Sequence, residues 1–111
     1  KINQSQSGTI TIVPKVFTPD NDGQADFTSI NYKFTGQGNV ANVTVYDAQG
    51  RLIKQLSKNQ TLANEGFLIW DGVDEDGSRV RTGYYVILFQ VFDLTGKQES
   101  FKETVAVTNK K

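Results

Sequence analysis

The chain has 111 residues, twelve basic and twelve acidic side chains, and no cysteine, histidine or methionine. This length suits one domain with a buried core, and the balanced charge provides no field that would recruit nucleic acid or an anionic membrane. The lack of cysteine and histidine excludes disulfides, zinc–sulfur sites and the commonest general base. No apolar run reaches the roughly 18 residues of a membrane span. The missing methionine predicts a processed protein or a piece of a longer one.

Short segments rich in β-branched and aromatic residues, separated by turn signals, follow one another along the chain. They predict a flexible lead-in over residues 1–8, a single domain over 9–108 and a tail over 109–111. Within the domain we expect seven strands, at 9–13, 27–35, 40–47, 51–56, 67–70, 84–92 and 98–108. Val16-Phe17 adds a short piece after Pro14, and the polar connection 57–65 has room for one helical turn.

No segment of ordinary helix length shows a 3.6-residue apolar period. The fold class is therefore all-β, and seven short strands predict an antiparallel immunoglobulin-like β-sandwich. A single barrel is the alternative. Alternation predicts that Ala41, Val43 and Val45 face the core from one central strand. The apolar residues expected to face the core from the other are Tyr85, Ile87, Phe89 and Val91.

The aspartates are concentrated in the predicted turns. If the strands alternate up and down, three connections meet at one end and bring seven of these residues there: Asp20, Asp22, Asp26, Asp47, Asp71, Asp74 and Asp76. Calcium binds six to eight oxygens from loops of this kind. A calcium site is therefore one interpretation, and turns stabilised by hydrogen bonds to carboxylates are the other.

The first acidic loop fits a calcium loop in part. Asp20, Asp22 and Asp26 occupy its third, fifth and ninth positions, but Thr18 and Ser29 stand at the first and twelfth. The second acidic loop fits less well. Its candidate ligands are Asp71, Asp74 and Asp76.

A candidate partner surface lies on the face of strand 84–92 opposite the core. Its residues are Tyr84, Val86 and Leu88, and Tyr46 from strand 40–47 extends it. An exposed apolar patch of this kind is typical of a docking surface. The alternative is that long side chains of neighbouring strands cover it.

Four motifs carry a family resemblance: F-T-P-D-N-D-G over 17–23, Y-D-A-Q-G-R-L over 46–52, W-D-G-V-D-E-D-G over 70–77 and G-Y-Y over 83–85. The chain resembles the immunoglobulin-like domain of the flagellar hook-capping protein. It also resembles the gliding-motility-associated and type IX secretion C-terminal domains of exported bacterial surface proteins. It departs from the family at Arg81-Thr82, where a proline usually precedes the G-x-Y, so we expect a less rigid loop there.

The resemblance implies a non-catalytic structural, adhesion or anchoring module of a larger exported protein, at the cell surface, outside the cell or in the periplasm. Its partners would be neighbouring domains of the same polypeptide or a cell-surface protein. One alternative is a polysaccharide-binding module that uses Tyr46, Tyr84 and Tyr32, although alternation turns Tyr32 inward. Another is a contact domain of a flagellar-cap-like assembly. An enzyme is not expected, because the serines lack a histidine to activate them and no phosphate-binding loop opens a helix.

Overall fold

The computed structural model describes residues 8–19, 26–34, 39–93 and 96–108. The described residues form two sheets built from eight strands. The strands are β1 (Gly8–Val13), β2 (Val16–Phe17), β3 (Thr28–Phe34), β4 (Val40–Asp47), β5 (Leu52–Thr61), β6 (Glu65–Trp70), β7 (Gly83–Phe92) and β8 (Gln98–Val107). One sheet has the order β1-β3-β6 and the other the order β2-β8-β7-β4-β5. The all-β, two-sheet architecture is confirmed.

The strand count and the fully antiparallel arrangement need correction. Val16–Phe17 is a strand of its own, and it pairs in parallel with β8 through Val16↔Ala106 and Phe17↔Val107. The chain changes sheets at Pro14, which cannot donate to the ladder of β1 and so ends that strand. A two-residue parallel pairing depends on a partner some ninety residues away, so periodicity could not indicate it.

The connection after the fourth predicted strand is also different. Instead of a helical turn, β5 continues through polar residues to Thr61. β5 is the outer strand of its sheet, so its exposed face needs no apolar residues. The register against β4 shifts along its length, and Asn59 takes a positive φ of 48°. The side chain of Asn42 holds this irregular segment, because its Oδ1 accepts the Asn59 amide at 2.8 Å.

The core lies between the two sheets and follows the predicted alternation. Every residue expected to face inward from β4 and β7 is buried. Trp70 is fully buried, and its ring meets Phe17 and Tyr85 edge-on, with centroids 5.6 and 5.4 Å apart. These three rings come from β6, β2 and β7, so they join both sheets at one end of the sandwich. We call this the Trp70 end.

The strand registers show what meets at the Trp70 end. There β1 ends beside the start of β3, and β3 begins opposite the end of β6. In the other sheet β4 and β8 end where β7 begins. The described parts of the three connections that the sequence placed together therefore do lie together, and the turn between β7 and β8 lies at the opposite end.

Two glycines lie in the connection between β6 and β7. Comparing them separates two reasons for a glycine: a backbone conformation with positive φ, and close packing that leaves no room for a Cβ. Both have positive φ, 79° at Gly72 and 83° at Gly77. A Cβ at Gly77 would meet nothing within 4 Å, whereas one at Gly72 would lie 2.8 Å from Pro19 Cγ and 3.3 Å from Phe17 Cε2. Gly72 thus needs both its conformation and its small size.

We expect Gly77→Ala to lower the free energy of unfolding by about 1–2 kcal/mol, the cost of a left-handed conformation for a residue with a Cβ. Gly72→Ala should cost a further ~1–3 kcal/mol, because its methyl group overpacks the core at Pro19. Urea denaturation of the two variants and the parent measures the difference. Equal losses for both variants would contradict the close packing at Gly72.

Candidate functional site

Among the residues that the structure describes, the sequence D-x-x-G forms three turns, two of them at the Trp70 end. In each turn the glycine N–H donates to the aspartate carbonyl, and the aspartate N–H donates to the carbonyl of the residue after the glycine, at 2.9–3.0 Å. The aspartate carboxylate accepts the N–H of that same residue. The glycines have φ of 83–88°. The pairs are Asp47 and Gly50, Asp74 and Gly77, and Asp93 and Gly96. These aspartates therefore stabilise turns.

The Asp47 carboxylate accepts three hydrogen bonds. Its Oδ1 accepts the amides of Gln49 and Arg51 at 2.9 Å, and its Oδ2 accepts Arg51 Nε at 2.9 Å. The backbone N–H of Arg51 is the main cause that lowers the pKa of the Asp47 carboxyl, and burial opposes this effect. The charged carboxylate is therefore the form that suits the folded turn.

The second acidic loop is organised around Asp74. Its Oδ1 accepts the amides of Asp76 and Ser78 at 2.9 Å, while Asp71 and Asp76 are exposed. In the part of the chain that the structure describes, no three acidic side chains come close enough to hold a metal ion. In the first acidic loop Asp26 is half-buried, and Asp20 and Asp22 lie outside the described residues. Calcium binding at either loop stays a prediction.

Two buried rings fix the connection between β6 and β7. The Trp70 indole N–H donates to the Val73 carbonyl at 2.9 Å, which supplies the acceptor that a buried indole needs. The Tyr85 hydroxyl donates to the Arg81 carbonyl at 2.7 Å. Burial raises the pKa of Tyr85, and the nearby charge of Asp47 adds to this, so the hydroxyl keeps its proton. Both ends of the connection are thus anchored on the core.

The predicted partner surface lies on the outer face of the five-stranded sheet. Tyr84 is 67% exposed, whereas Tyr46, Val86 and Leu88 are half-buried. The register places Val86 beside Tyr46 and Leu88 beside Thr44, so the four predicted residues share one face. Tyr32 does not join them, because its ring packs in the core against Phe34 and Phe89. The inward orientation expected for Tyr32 is confirmed.

Sequence reasoning missed two members of this surface. Leu52 of β5 pairs with Tyr46, and Val16 of β2 lies in the same row as Tyr84, with Ala106 of β8 between them. They are 58% and 55% exposed. The hairpin motif Y-D-A-Q-G-R-L could have revealed Leu52, whereas Val16 depends on the parallel pairing of β2. We call the whole set the apolar stripe: Val16, Tyr46, Leu52, Tyr84, Val86 and Leu88.

The contribution of the Asp47 carboxylate to the free energy of unfolding should depend on pH. Because its folded pKa lies below the unfolded one, this stabilisation is present above about pH 4 and is lost as pH falls through the folded pKa. The difference in melting temperature between the parent and Asp47→Asn should therefore shrink on acidification.

An NMR titration of the Asp47 carboxyl tests the cause directly. Arg51→Gln removes the guanidinium but keeps the backbone N–H, so the pKa should remain below its ordinary value in this variant. A return to the ordinary value would assign the effect to the ion pair instead.

Comparison with solved structures supports the fold. The soluble domain of PmoD from Methylocystis sp. ATCC 49242 (Rockwell) aligns with a TM-score of 0.56 at 12% identity, covering 96% of this chain and 94% of that one. CopC from Methylosinus trichosporium OB3b gives 0.51 at 17% identity, with 78% of each chain covered. The periplasmic chaperone SfaE gives 0.54 at 10% identity, covering 93% and 58%. At these identities the likeness concerns the fold alone.

Comparison with curated proteins gave no significant match. The model of the family CHU_C, described as a type IX secretion signal domain, matches residues 11–107. This span includes part of β1 and all the later strands. The resemblance to type IX secretion domains is thereby confirmed. The chain belongs to the CHU_C type IX secretion signal domain family and is part of an exported protein.

Proposed function

We infer that this domain is a non-catalytic sorting and anchoring module of a larger exported protein, and that its partner docks on the apolar stripe. The family match over residues 11–107 is the observation that carries this proposal. Among residues 8–19, 26–34, 39–93 and 96–108, no helix has the length and apolar character needed to cross a membrane. The partner is a cell-envelope protein or a neighbouring domain of the same polypeptide, and the setting is the cell surface, the extracellular space or the periplasm.

The structure supports the stripe as the docking surface in two ways. First, its most exposed side chains, Tyr84 and Leu52, occupy neighbouring rows of one sheet and leave large apolar areas in contact with water. Second, aromatic side chains such as Tyr84 supply much of the binding energy in protein interfaces. The half-buried Val86 and Leu88 form the floor of this patch, so a partner would meet a continuous apolar surface.

A reporter protein fused to this domain and expressed in a bacterium with type IX secretion tests the proposal. The parent fusion should reach the outside of the cell. Tyr84→Ser with Leu52→Ser should lower the exported fraction by about tenfold, as expected when an aromatic anchor is lost. Both side chains are exposed, so the melting temperature of the purified domain should change little.

The matched control removes a similar apolar area from the opposite sheet. Phe67 and Ile69 on β6 are 62% and 40% exposed, and Phe67→Ser with Ile69→Ser should leave export unchanged. A parent fusion that stays inside the cell would refute the sorting function. Equal export of both double variants would refute the stripe as the docking surface. Retardation of the parent, but not of Tyr84→Ser, by a neutral polysaccharide gel would favour the carbohydrate-binding alternative.

A further inference from the structure

A groove of about 710 Å³ opens at the Trp70 end, between the Asp47 turn and the connection from β6 to β7. Of the residues that form the apolar stripe, only Tyr84 also lines this groove. Three arginines line it, namely Arg51, Arg79 and Arg81. Two aspartates, Asp47 and Asp74, are also part of its lining.

The aspartates of the groove are already engaged. Both carboxylates accept backbone N–H groups of their own turns. In the part of the chain that the structure describes, the contact between Arg51 and Asp47 is the one salt bridge. The exposed side chains of Arg79 and Arg81 form no ion pair there, and the lining carries three guanidinium groups against two carboxylates, a net charge of one positive.

The spacing of these two arginines is set by the backbone. Val80 is buried between them, and its N–H donates to the Gly72 carbonyl at 2.9 Å. Arg79 pairs with Val73 in an antiparallel bridge, so this segment is extended. Side chains two residues apart on an extended segment project to the same side, about 6–7 Å apart. The side chains of Arg79 and Arg81 therefore leave the backbone on the same side of this segment and carry both guanidinium groups to one side of the groove.

An extended peptide with acidic residues at alternate positions carries its carboxylates at the same spacing of about 6–7 Å. Guanidinium groups bind carboxylates through two parallel hydrogen bonds, which makes the match geometric as well as electrostatic. Ile53 and Tyr84 add apolar surface to the lining, against which the intervening residues of the peptide can pack. The geometry points to a binding site for an extended acidic peptide segment in this groove.

Fluorescence anisotropy with two labelled dodecapeptides of identical composition tests this assignment. One alternates glutamate and threonine, and the other carries glutamates in adjacent pairs separated by pairs of threonine. The alternating peptide should bind the parent at least about tenfold more tightly. Arg79→Gln with Arg81→Gln should abolish this preference and weaken binding by about tenfold or more. Arg79→Lys with Arg81→Lys keeps the charge but loses the fork geometry, and should fall between the two.

The control variant removes the same charge elsewhere. Lys97→Gln with Lys102→Gln alters two exposed lysines outside the groove lining and should change the affinity less than about twofold. Equal affinity for both peptides, or an equal loss in the lysine variant, would overturn the assignment and leave only unspecific charge attraction. Arginine-dependent binding of a polyuronate without binding of either peptide would also overturn it, in favour of an acidic polysaccharide. Export of the reporter fusion is measured separately, so either proposal can fail alone.

Discussion

The packing of Trp70 is the constraint on which the rest of the structure depends. Its ring is fully buried between Phe17 and Tyr85, which belong to the other sheet. Removing it would open a cavity at the place where the two sheets are joined, and cavities of this size cost about 3–5 kcal/mol. Because the indole also donates to Val73, the same side chain that closes the core begins the connection to β7. Core packing and surface geometry are therefore set together at this end.

The motif that carries the family resemblance is explained by this architecture. In the segment 70–77, Trp70 fills the core, Gly72 lets Pro19 and Phe17 approach, Asp74 accepts the turn amides and Gly77 supplies the positive φ. Each of these residues has a structural role in the fold. The residues through which we propose that partners bind, such as Arg79 and Tyr84, lie beside the motif. A motif match of this kind identifies a fold family more directly than an activity.

The parts of the fold that could be predicted are those that burial determines. β4 and β7 were placed within one residue, because alternating burial leaves a clear pattern in the sequence. β5 was predicted too short, since the outer face of an edge strand accepts polar residues, and the pairing of β2 is non-local. The same division applies to the site. Tyr84 followed from alternation on its own strand, whereas Val16 and the arginine groove depend on how separate segments pack against one another.

The net charge of this domain does not predict the charge of each part of its surface. Twelve basic and twelve acidic residues cancel in the sequence, and this argues against a global field. A zero net charge does not say where the charged groups lie, and the carboxylates of Asp47 and Asp74 keep their charge while they accept backbone N–H groups of their turns. Arg79 and Arg81 line the same groove and form no ion pair in the described part of the chain, so arginines outnumber aspartates there by one. A chain with zero net charge can therefore carry a local excess of arginine, because the packing of separate segments decides which charged groups meet.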